Sequence, residues 1–147
     1  MCIQGQPLIF PFIHFILGLL DKKSRLKLLR SLDLSGTEIS DVGLRYVTQY
    51  LGQLTRLSVA KCWKISDAGL AQLSTLEALT SLDCSGSKMI TNQGLAHLGK
   101  CKSLVHLDCT NTSVTTEGLK RLVEDIGDKR LKVSGHVIVA KRQSSRR

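Results

Sequence analysis

Residues 54–73, LTRLSVAKCWKISDAGLAQL, form one copy of a unit that occurs four times in this chain of 147 residues. The first half of the unit returns as LRSLDL (29–34), LTRLSV (54–59), LTSLDC (79–84) and LVHLDC (104–109), and its opening leucines are evenly spaced. The second half returns as ISDVGL (39–44), ISDAGL (65–70), ITNQGL (90–95) and VTTEGL (114–119). Self-similarity at a fixed period of this length is typical of a repeat architecture.

Each half of the unit predicts one element of secondary structure. Leucines that alternate with other residues predict a short strand with one leucine-bearing face. In the second half, a hydroxyl residue precedes a run with apolar residues at i and i+3, which predicts a helix with a side-chain N-cap. The predicted N-caps are Ser40, Ser66, Thr91 and Thr115. We expect the glycine before each helical leucine to let the helix approach the strand layer closely.

The units must stack on one another, because one strand and one helix cannot bury their own apolar faces. Cys84 and Cys109 occupy the slot that Leu34 and Val59 fill in the other repeats, so we expect both cysteines in the core. The predicted fold class is therefore α/β, a solenoid of about four 25-residue strand–helix repeats with a parallel sheet.

The unit resembles the cysteine-containing leucine-rich repeat of F-box/leucine-rich-repeat proteins, which runs C-x-x-L-x-x-L-x-L-x-x-C-x-x-[I/V]-[ST]-D-x-G-L-x-x-L. Repeat two matches this pattern at Leu54, Leu57, Val59, Cys62, Ile65, Ser66, Asp67, Gly69, Leu70 and Leu73. Cys101 falls where the leading cysteine of repeat four belongs. The resemblance covers residues 29–122. It implies a right-handed solenoid with strands on a concave side, helices outside, and protein binding as the activity.

The resemblance covers the repeats and includes no clear F-box. In F-box relatives a helical box precedes the repeats and holds a Trp near its end. Here the segment 1–28 precedes the first repeat, and the sole Trp, Trp63, lies within repeat two. A place in a ubiquitin ligase, with a Skp-type linker and a cullin as partners, is thus implied by the resemblance alone.

The net charge of +9 is concentrated at the ends of the chain. Residues 31–128 hold nine basic and eleven acidic side chains, whereas residues 129–147 hold seven basic and none acidic. A nucleic-acid-binding domain needs a basic surface on its folded body. The distribution therefore argues against nucleic acid as the partner.

The domain boundaries follow from the repeat. We assign residues 1–28 to an N-terminal hydrophobic and basic cap segment and residues 29–128 to the repeat domain. Residues 129–140 form a C-terminal cap, because the terminal repeats of a solenoid need one. Residues 141–147, KRQSSRR, have no apolar side chain and are predicted to be a disordered basic tail.

The segment Leu8–Leu20, LIFPFIHFILGLL, leaves three interpretations open. As a helix it would cover roughly 20 Å, short of the ~30 Å hydrocarbon core of a membrane. It can pack over the first repeat, contact a membrane surface, or dock onto another subunit of a complex. The docking candidates are Leu8, Phe10, Phe12 and Phe15.

Two sets of residues are candidates for binding a protein partner. In the repeat register, alternate strand positions face outward from the concave side. The concave candidates are Asp33, Arg56, Ser58, Asp83, His106 and Asp108. Three aspartates in one row suit a partner with a basic surface. Lys61, Trp63 and Lys64 form a second candidate on the rim, because aromatic residues are favoured at binding hot spots. Packing of Trp63 onto the next loop is the alternative.

No motif points to catalysis. His97, Cys101, His106, Asp108 and Cys109 crowd one repeat. The repeat register sends them to different faces, so we expect no metal site, no cofactor and no enzyme activity. Five cysteines without a CxxC pair are typical of reduced thiols, which indicates an intracellular, reducing compartment, most simply the cytoplasm.

These observations predict a non-catalytic protein-binding module that resembles the substrate-recognition part of F-box ubiquitin-ligase adaptors. The alternative is a small structural or assembly subunit held permanently in a large complex. Four repeats make a small concave face, which favours the alternative, whereas the family resemblance favours the adaptor.

Overall fold

The computed structural model describes residues 28–127 and 130–134, in which strands and helices alternate along the chain. The strands are β1 (Ser31–Asp33), β2 (Arg56–Ser58), β3 (Ser81–Asp83), β4 (His106–Asp108) and β5 (Lys132–Ser134). The helices are α1 (Asp41–Tyr50), α2 (Asp67–Leu73), α3 (Asn92–Leu98) and α4 (Thr116–Ile126). This order confirms the α/β solenoid of strand–helix repeats.

The strands form one parallel sheet in the order β1-β2-β3-β4-β5. The leucine at the centre of each strand pairs with its equivalent in the next, and Val133 continues the row in β5. Because the pairing never shifts, every repeat position becomes a straight row across the sheet. The sequence RLKVSG (130–135) echoes the strand motif of the repeats, and its residues Lys132–Ser134 form β5.

The core lies between the sheet and the helices, and the leucines of both layers fill it. Cys62, Cys84, Cys101 and Cys109 are all buried in this core as free thiols. The predicted core positions of Cys84 and Cys109 are thus confirmed. Burial raises the pKa of all four thiols, and the nearby Cys109 and aspartates raise that of Cys84 further.

Three of the four predicted N-caps are confirmed. The hydroxyls of Ser66, Thr91 and Thr115 accept hydrogen bonds from backbone N–H groups in the first turns of their helices. Ser40 has the extended backbone of an N-cap, but its side chain makes no capping bond. In the later repeats a side chain of the preceding repeat orients the hydroxyl, and no such group among the described residues reaches Ser40.

These orienting side chains stand at the first position of each helix and form what we call the inter-repeat clips. Asp41 accepts hydrogen bonds from both the backbone N–H (2.9 Å) and the hydroxyl (2.6 Å) of Ser66. Asp67 does the same for Thr91. Asn92 accepts from the Thr115 N–H and donates to its hydroxyl. The [ST]-[DN] pair of the repeat is therefore a joint between neighbours.

The glycine of the repeat serves these clips. A Cβ at Gly94 would lie 2.9 Å from Leu70 Cδ1 and closer still to Oδ1 of Asp67. Gly69 and Gly118 face Asp41 and Asn92 in the same way. At these three glycines the close approach is therefore between the starts of successive helices, and not between the helix and the strand layer as expected, whereas a Cβ at Gly43 would meet the Ile39 side chain of its own repeat.

Several predictions fall outside the described residues. These are the interpretations of Leu8–Leu20 with Leu8, Phe10, Phe12 and Phe15, the end of the C-terminal cap, and the basic tail at 141–147. Within the described part of the chain, no helix combines the length and apolar character needed to cross a membrane.

Candidate binding surfaces

The concave face carries two parallel rows of outward-facing side chains. Strand pairing sets Asp33, Ser58, Asp83 and Asp108 side by side, as the repeat register predicts. The neighbouring row consists of Ser31, Arg56, Ser81, His106 and Lys132. All six concave candidates therefore lie on one surface, and one pleat separates the two rows.

Each aspartate of this face forms a turn at the end of its strand. Asp83 Oδ1 accepts the backbone N–H of Ser85 at 2.9 Å. Asp108 Oδ1 accepts the N–H of Thr110 at 2.9 Å and its hydroxyl at 2.6 Å. Such Asx turns commit one carboxylate oxygen to the fold. The Oδ2 atoms of Asp83 and Asp108 accept no hydrogen bond from any described residue.

The second row is basic and more exposed than the aspartates. Arg56, His106 and Lys132 are exposed, whereas Asp33, Asp83 and Asp108 are half-buried. Sequence reasoning missed Lys132, although the echo of the strand motif in RLKVSG places it in this row. On the concave face, the basic side chains of Arg56 and Lys132 are therefore more exposed than the carboxylates of the neighbouring row.

The rim candidates are linked to one another. The Lys64 ammonium lies 2.9 Å from Oε2 of Glu38 and 4.6 Å from the centre of the Trp63 ring. This arrangement is a cation–π contact held by an ion pair. Trp63 nonetheless keeps 61% of its surface exposed. The indole is therefore oriented by Lys64 and accessible to solvent.

Lys61 has an unusual backbone. Its φ is +57°, and the equivalent residues of the other repeats are Gly36, Gly86 and Asn111, all with positive φ. This conformation is required because the N–H of Lys61 bonds to the carbonyl oxygen of Ser85, a link between repeats that Gly36 and Gly86 also make. A side chain costs roughly 1–2 kcal/mol in this region, where glycine costs nothing.

Sequence reasoning also missed the rim of the next repeat. Met89 is 56% exposed, and Lys88 beside it is exposed. Met89 and Lys88 follow Lys64 and Trp63 by one repeat period. That spacing was available in the sequence, but the exposure of an apolar loop residue depends on what the neighbouring loops cover.

The polar residues that crowd repeat four do not converge. Cys101 and Cys109 are buried in the core, His97 is exposed on α3, and His106 is exposed on the sheet. Among the described residues, no group of three or more His, Cys, Asp or Glu side chains is arranged to hold a metal ion.

Three solved structures are similar to parts of this chain. An internalin (inlF) from Listeria monocytogenes matches with a TM-score of 0.47 and 20% identity, over 73% of this chain and 34% of the internalin chain. A second internalin (inlC2) from the same organism matches with a TM-score of 0.49 and 21% identity, over 76% of this chain and 53% of its own. A crystal structure of the Rad7 and Elc1 complex in yeast matches with a TM-score of 0.54 and 25% identity over 65% of this chain. This chain spans only 25% of that yeast chain. A model of the leucine-rich repeat matches residues 26–47. With the regular repeat period and the parallel strand–helix stack, this match shows that the described part of the chain has a leucine-rich-repeat architecture.

Proposed function

We propose that this protein is a non-catalytic module that binds another protein through its concave face. The observation that carries the proposal is the pair of polar rows on the open side of the sheet. Strand pairing fixes both rows, and the core beneath them is closed, so these side chains are held at regular spacing without being needed for packing. A pre-organised array of this kind lowers the entropic cost of binding.

The comparisons support an adaptor role. The yeast structure is of a complex between two proteins, Rad7 and Elc1. The sequence resemblance to F-box/leucine-rich-repeat proteins adds a Skp-type linker and a cullin as proposed partners. The four buried free thiols support a reducing, intracellular compartment, most simply the cytoplasm.

The size of the concave face favours a second candidate, a permanent structural or assembly subunit. Five strands spaced about 4.8 Å apart span roughly 20 Å, and three residues of strand add about 10 Å. The resulting area of about 200 Å² is far below the ~800 Å² that each partner contributes to a standard interface. A stable complex must therefore also use the edges of the solenoid, as a subunit enclosed by its neighbours does.

Affinity capture from the native cells distinguishes the two candidates. The baits are the full chain, a version that starts at Lys22, and the full chain with Arg56→Glu and His106→Glu. If the first two baits recover a Skp-type linker and a cullin, the adaptor role is supported. If only the full chain recovers stoichiometric subunits of one assembly, the structural role is supported.

The double variant tests the concave face itself. We expect it to lose the partner, while a control with Lys100→Glu and Lys120→Glu, two substitutions on the helix side of the repeats, retains it. Undiminished capture by the concave variant would contradict binding through this face.

A further inference from the structure

The edge of the solenoid beside the concave face carries an unusual group of exposed residues. Lys61 and Trp63 lie in the loop between β2 and α2, and Lys88 and Met89 lie in the loop between β3 and α3. We call these four residues the loop edge. Repeat stacking places the two loops next to each other, since Lys61 bonds through its N–H to Ser85 in the following loop at 2.6 Å.

The loop edge carries exposed apolar side chains. Four large apolar side chains are exposed among the described residues, namely Leu28, Val42, Trp63 and Met89. Two of the four belong to neighbouring loops of this one edge. Indole rings are enriched at binding hot spots, and the flexible thioether of Met adapts to an apolar partner group.

The loop edge also carries two lysines that form no ion pair with a described residue. Lys64 is neutralised by Glu38, but no carboxylate of a described residue lies within ion-pair distance of Lys61 or Lys88. Asp67 is engaged in a clip and Asp108 in an Asx turn. Two ammonium groups without a carboxylate partner among the described residues therefore lie in the same two loops as two exposed apolar side chains.

Lys61 stands at a turn position whose backbone conformation lysine disfavours. Glycine fills the equivalent position in two other repeats and adopts the positive φ without strain. The turn does not need the lysine side chain, whose Cγ lies over Gly86 within 3.1 Å of a Cβ built there. Strained residues that the fold does not require cluster at functional sites.

The loop edge is also braced in position. The Ser113 hydroxyl donates to the carbonyl oxygen of Lys88 at 2.7 Å, and the Ser113 N–H donates to that of Ile90 at 2.9 Å. On the other side, the pair of Lys64 with Glu38 holds the indole of Trp63. Because these contacts already fix the two loops, binding a ligand here costs little conformational entropy in the loop backbone.

We propose that the loop edge docks an acidic segment of the protein partner, with carboxylates that meet Lys61 and Lys88 and one large apolar side chain that packs on Trp63 and Met89. This inference rests on the proposed protein-binding function and names the chemistry of the bound segment. Charge complementarity selects a peptide over nucleic acid, because two isolated ammonium groups do not form the long basic stripe that a phosphate backbone requires.

The test is a selection of displayed random dodecapeptides on the full chain. We expect enrichment of sequences rich in Asp and Glu around one Leu, Ile or Phe. Trp63 is the sole Trp of the chain, so a selected peptide without Trp should shift its fluorescence to the blue on binding and protect it from iodide quenching. A version of the peptide with Lys in place of Asp and Glu should not bind.

Matched variants locate the site. Lys61→Gly with Lys88→Ala removes both charges, and glycine at position 61 preserves the turn. We expect the affinity for the selected peptide to fall at least about tenfold, the size of one hot-spot contact. Lys100→Ala with Lys120→Ala removes the same charge elsewhere and should leave the affinity unchanged. Trp63→Ala should lower it as strongly as the lysine variant.

Several results would overturn the inference. These are enrichment of basic peptides, no enrichment at all, equal binding by the lysine variant and its control, or equally tight, lysine-dependent binding of single-stranded oligonucleotide or phosphatidylserine vesicles. Failure of the proposed function is separate. If the concave variant loses its captured partner while the selection yields no acidic peptide, the binding function stands and the docking inference fails.

Discussion

Asp67 in repeat two bonds to both polar groups of Thr91 in repeat three: its Oδ1 accepts the backbone N–H at 2.7 Å and its Oδ2 accepts the hydroxyl at 2.6 Å. Thr91 in turn caps α3 through the N–H of Gln93. One carboxylate thus fixes the start of the next helix and ties two repeats together.

Removing this clip should destabilise the solenoid. We expect Asp67→Ala to lower the free energy of unfolding by about 2 kcal/mol, because two charge-assisted hydrogen bonds are lost. Asp67→Asn should lose less, since Asn92 performs the same function one repeat later. Urea unfolding followed by far-ultraviolet circular dichroism measures both, with Glu77→Ala, at an exposed loop residue, as the control. Equal losses for Asp67→Ala and the control would contradict the role of the clip.

The glycine that accommodates the clip should be equally sensitive. Gly94→Ala places a methyl group against Asp67 and Leu70, and we expect a loss of about 1–3 kcal/mol, as in overpacked cores. Gly52→Ala is the matched control, because nothing lies within 4 Å of a Cβ at that site. Thermal unfolding of the two variants compares them. A Gly94→Ala protein as stable as the control would show that the helices can move apart at no cost.

Lys61→Gly should make the protein more stable. Glycine relieves the positive φ at this turn, so we expect a gain of about 1 kcal/mol in the free energy of unfolding. Lys88→Gly, at an exposed loop position without positive φ, should show no such gain. Denaturant midpoints of the two variants, measured in parallel, give the comparison. If Lys61→Gly instead lowers the free energy of unfolding, the aliphatic part of the lysine side chain stabilises the fold by packing over Gly86.

The aspartates of the concave face have one role in the turns, as hydrogen-bond acceptors, and a proposed second role as charges that bind a partner. A substitution by Asn separates the two roles. Asp83→Asn and Asp108→Asn keep an oxygen that can accept the turn hydrogen bonds but remove the charge. If these carboxylates bind basic groups of the partner, as the sequence predicts, the double Asn variant should bind at least about tenfold more weakly, with its melting temperature unchanged.

The corresponding Ala variant serves as the comparison. Asp83→Ala with Asp108→Ala should lose stability as well, because the turn acceptor is gone. Titration calorimetry with the captured partner gives the affinities. If the Asn variant binds as tightly as the unmodified protein, the aspartates act in the turns alone.

Buried thiols predict a pH dependence at the alkaline end. Burial raises the pKa of Cys101 and Cys109 from 9.0 to about 11. The folded state therefore favours the protonated thiol. This contribution to stability is complete below pH 9 and is lost as the pH rises towards 11, by on the order of 1 kcal/mol for each thiol.

Cys109→Val tests this assignment, because Val59 fills the same core slot in repeat two. The variant should be nearly as stable as the unmodified protein at pH 7 and should lose less stability by pH 10.5. Urea unfolding in the presence of a reductant measures both curves. Parallel curves would show that Cys109 does not contribute to the alkaline loss.

The fold could be predicted from sequence because its information is periodic. The evenly spaced leucines fix the strand register, and the register fixes which side chains share the concave face, including Asp83 beside Asp108. A residue that has the same structural role in every repeat can be recognised from the sequence alone. The predicted strands, the core cysteines and the shared face follow from that regularity.

What sequence reasoning missed concerns contacts between repeats and departures from the average. Asp67 and Thr91 look like local features of their own helices, and only the stack shows that they bond to each other. The exposure of Met89 and the strained turn at Lys61 are single exceptions to the pattern. A consensus drawn from four copies suppresses such exceptions, although binding specificity depends on them.

The clips also give the solenoid a direction. Each one reaches from a residue at the start of one helix to the cap of the following helix, and Ser40 in the first described repeat has no such bond. During synthesis the earlier repeat leaves the ribosome first, so the carboxylate is already in place when the next hydroxyl emerges. In each clip among the described residues, the orienting side chain therefore belongs to the N-terminal repeat and the capping hydroxyl to its C-terminal neighbour.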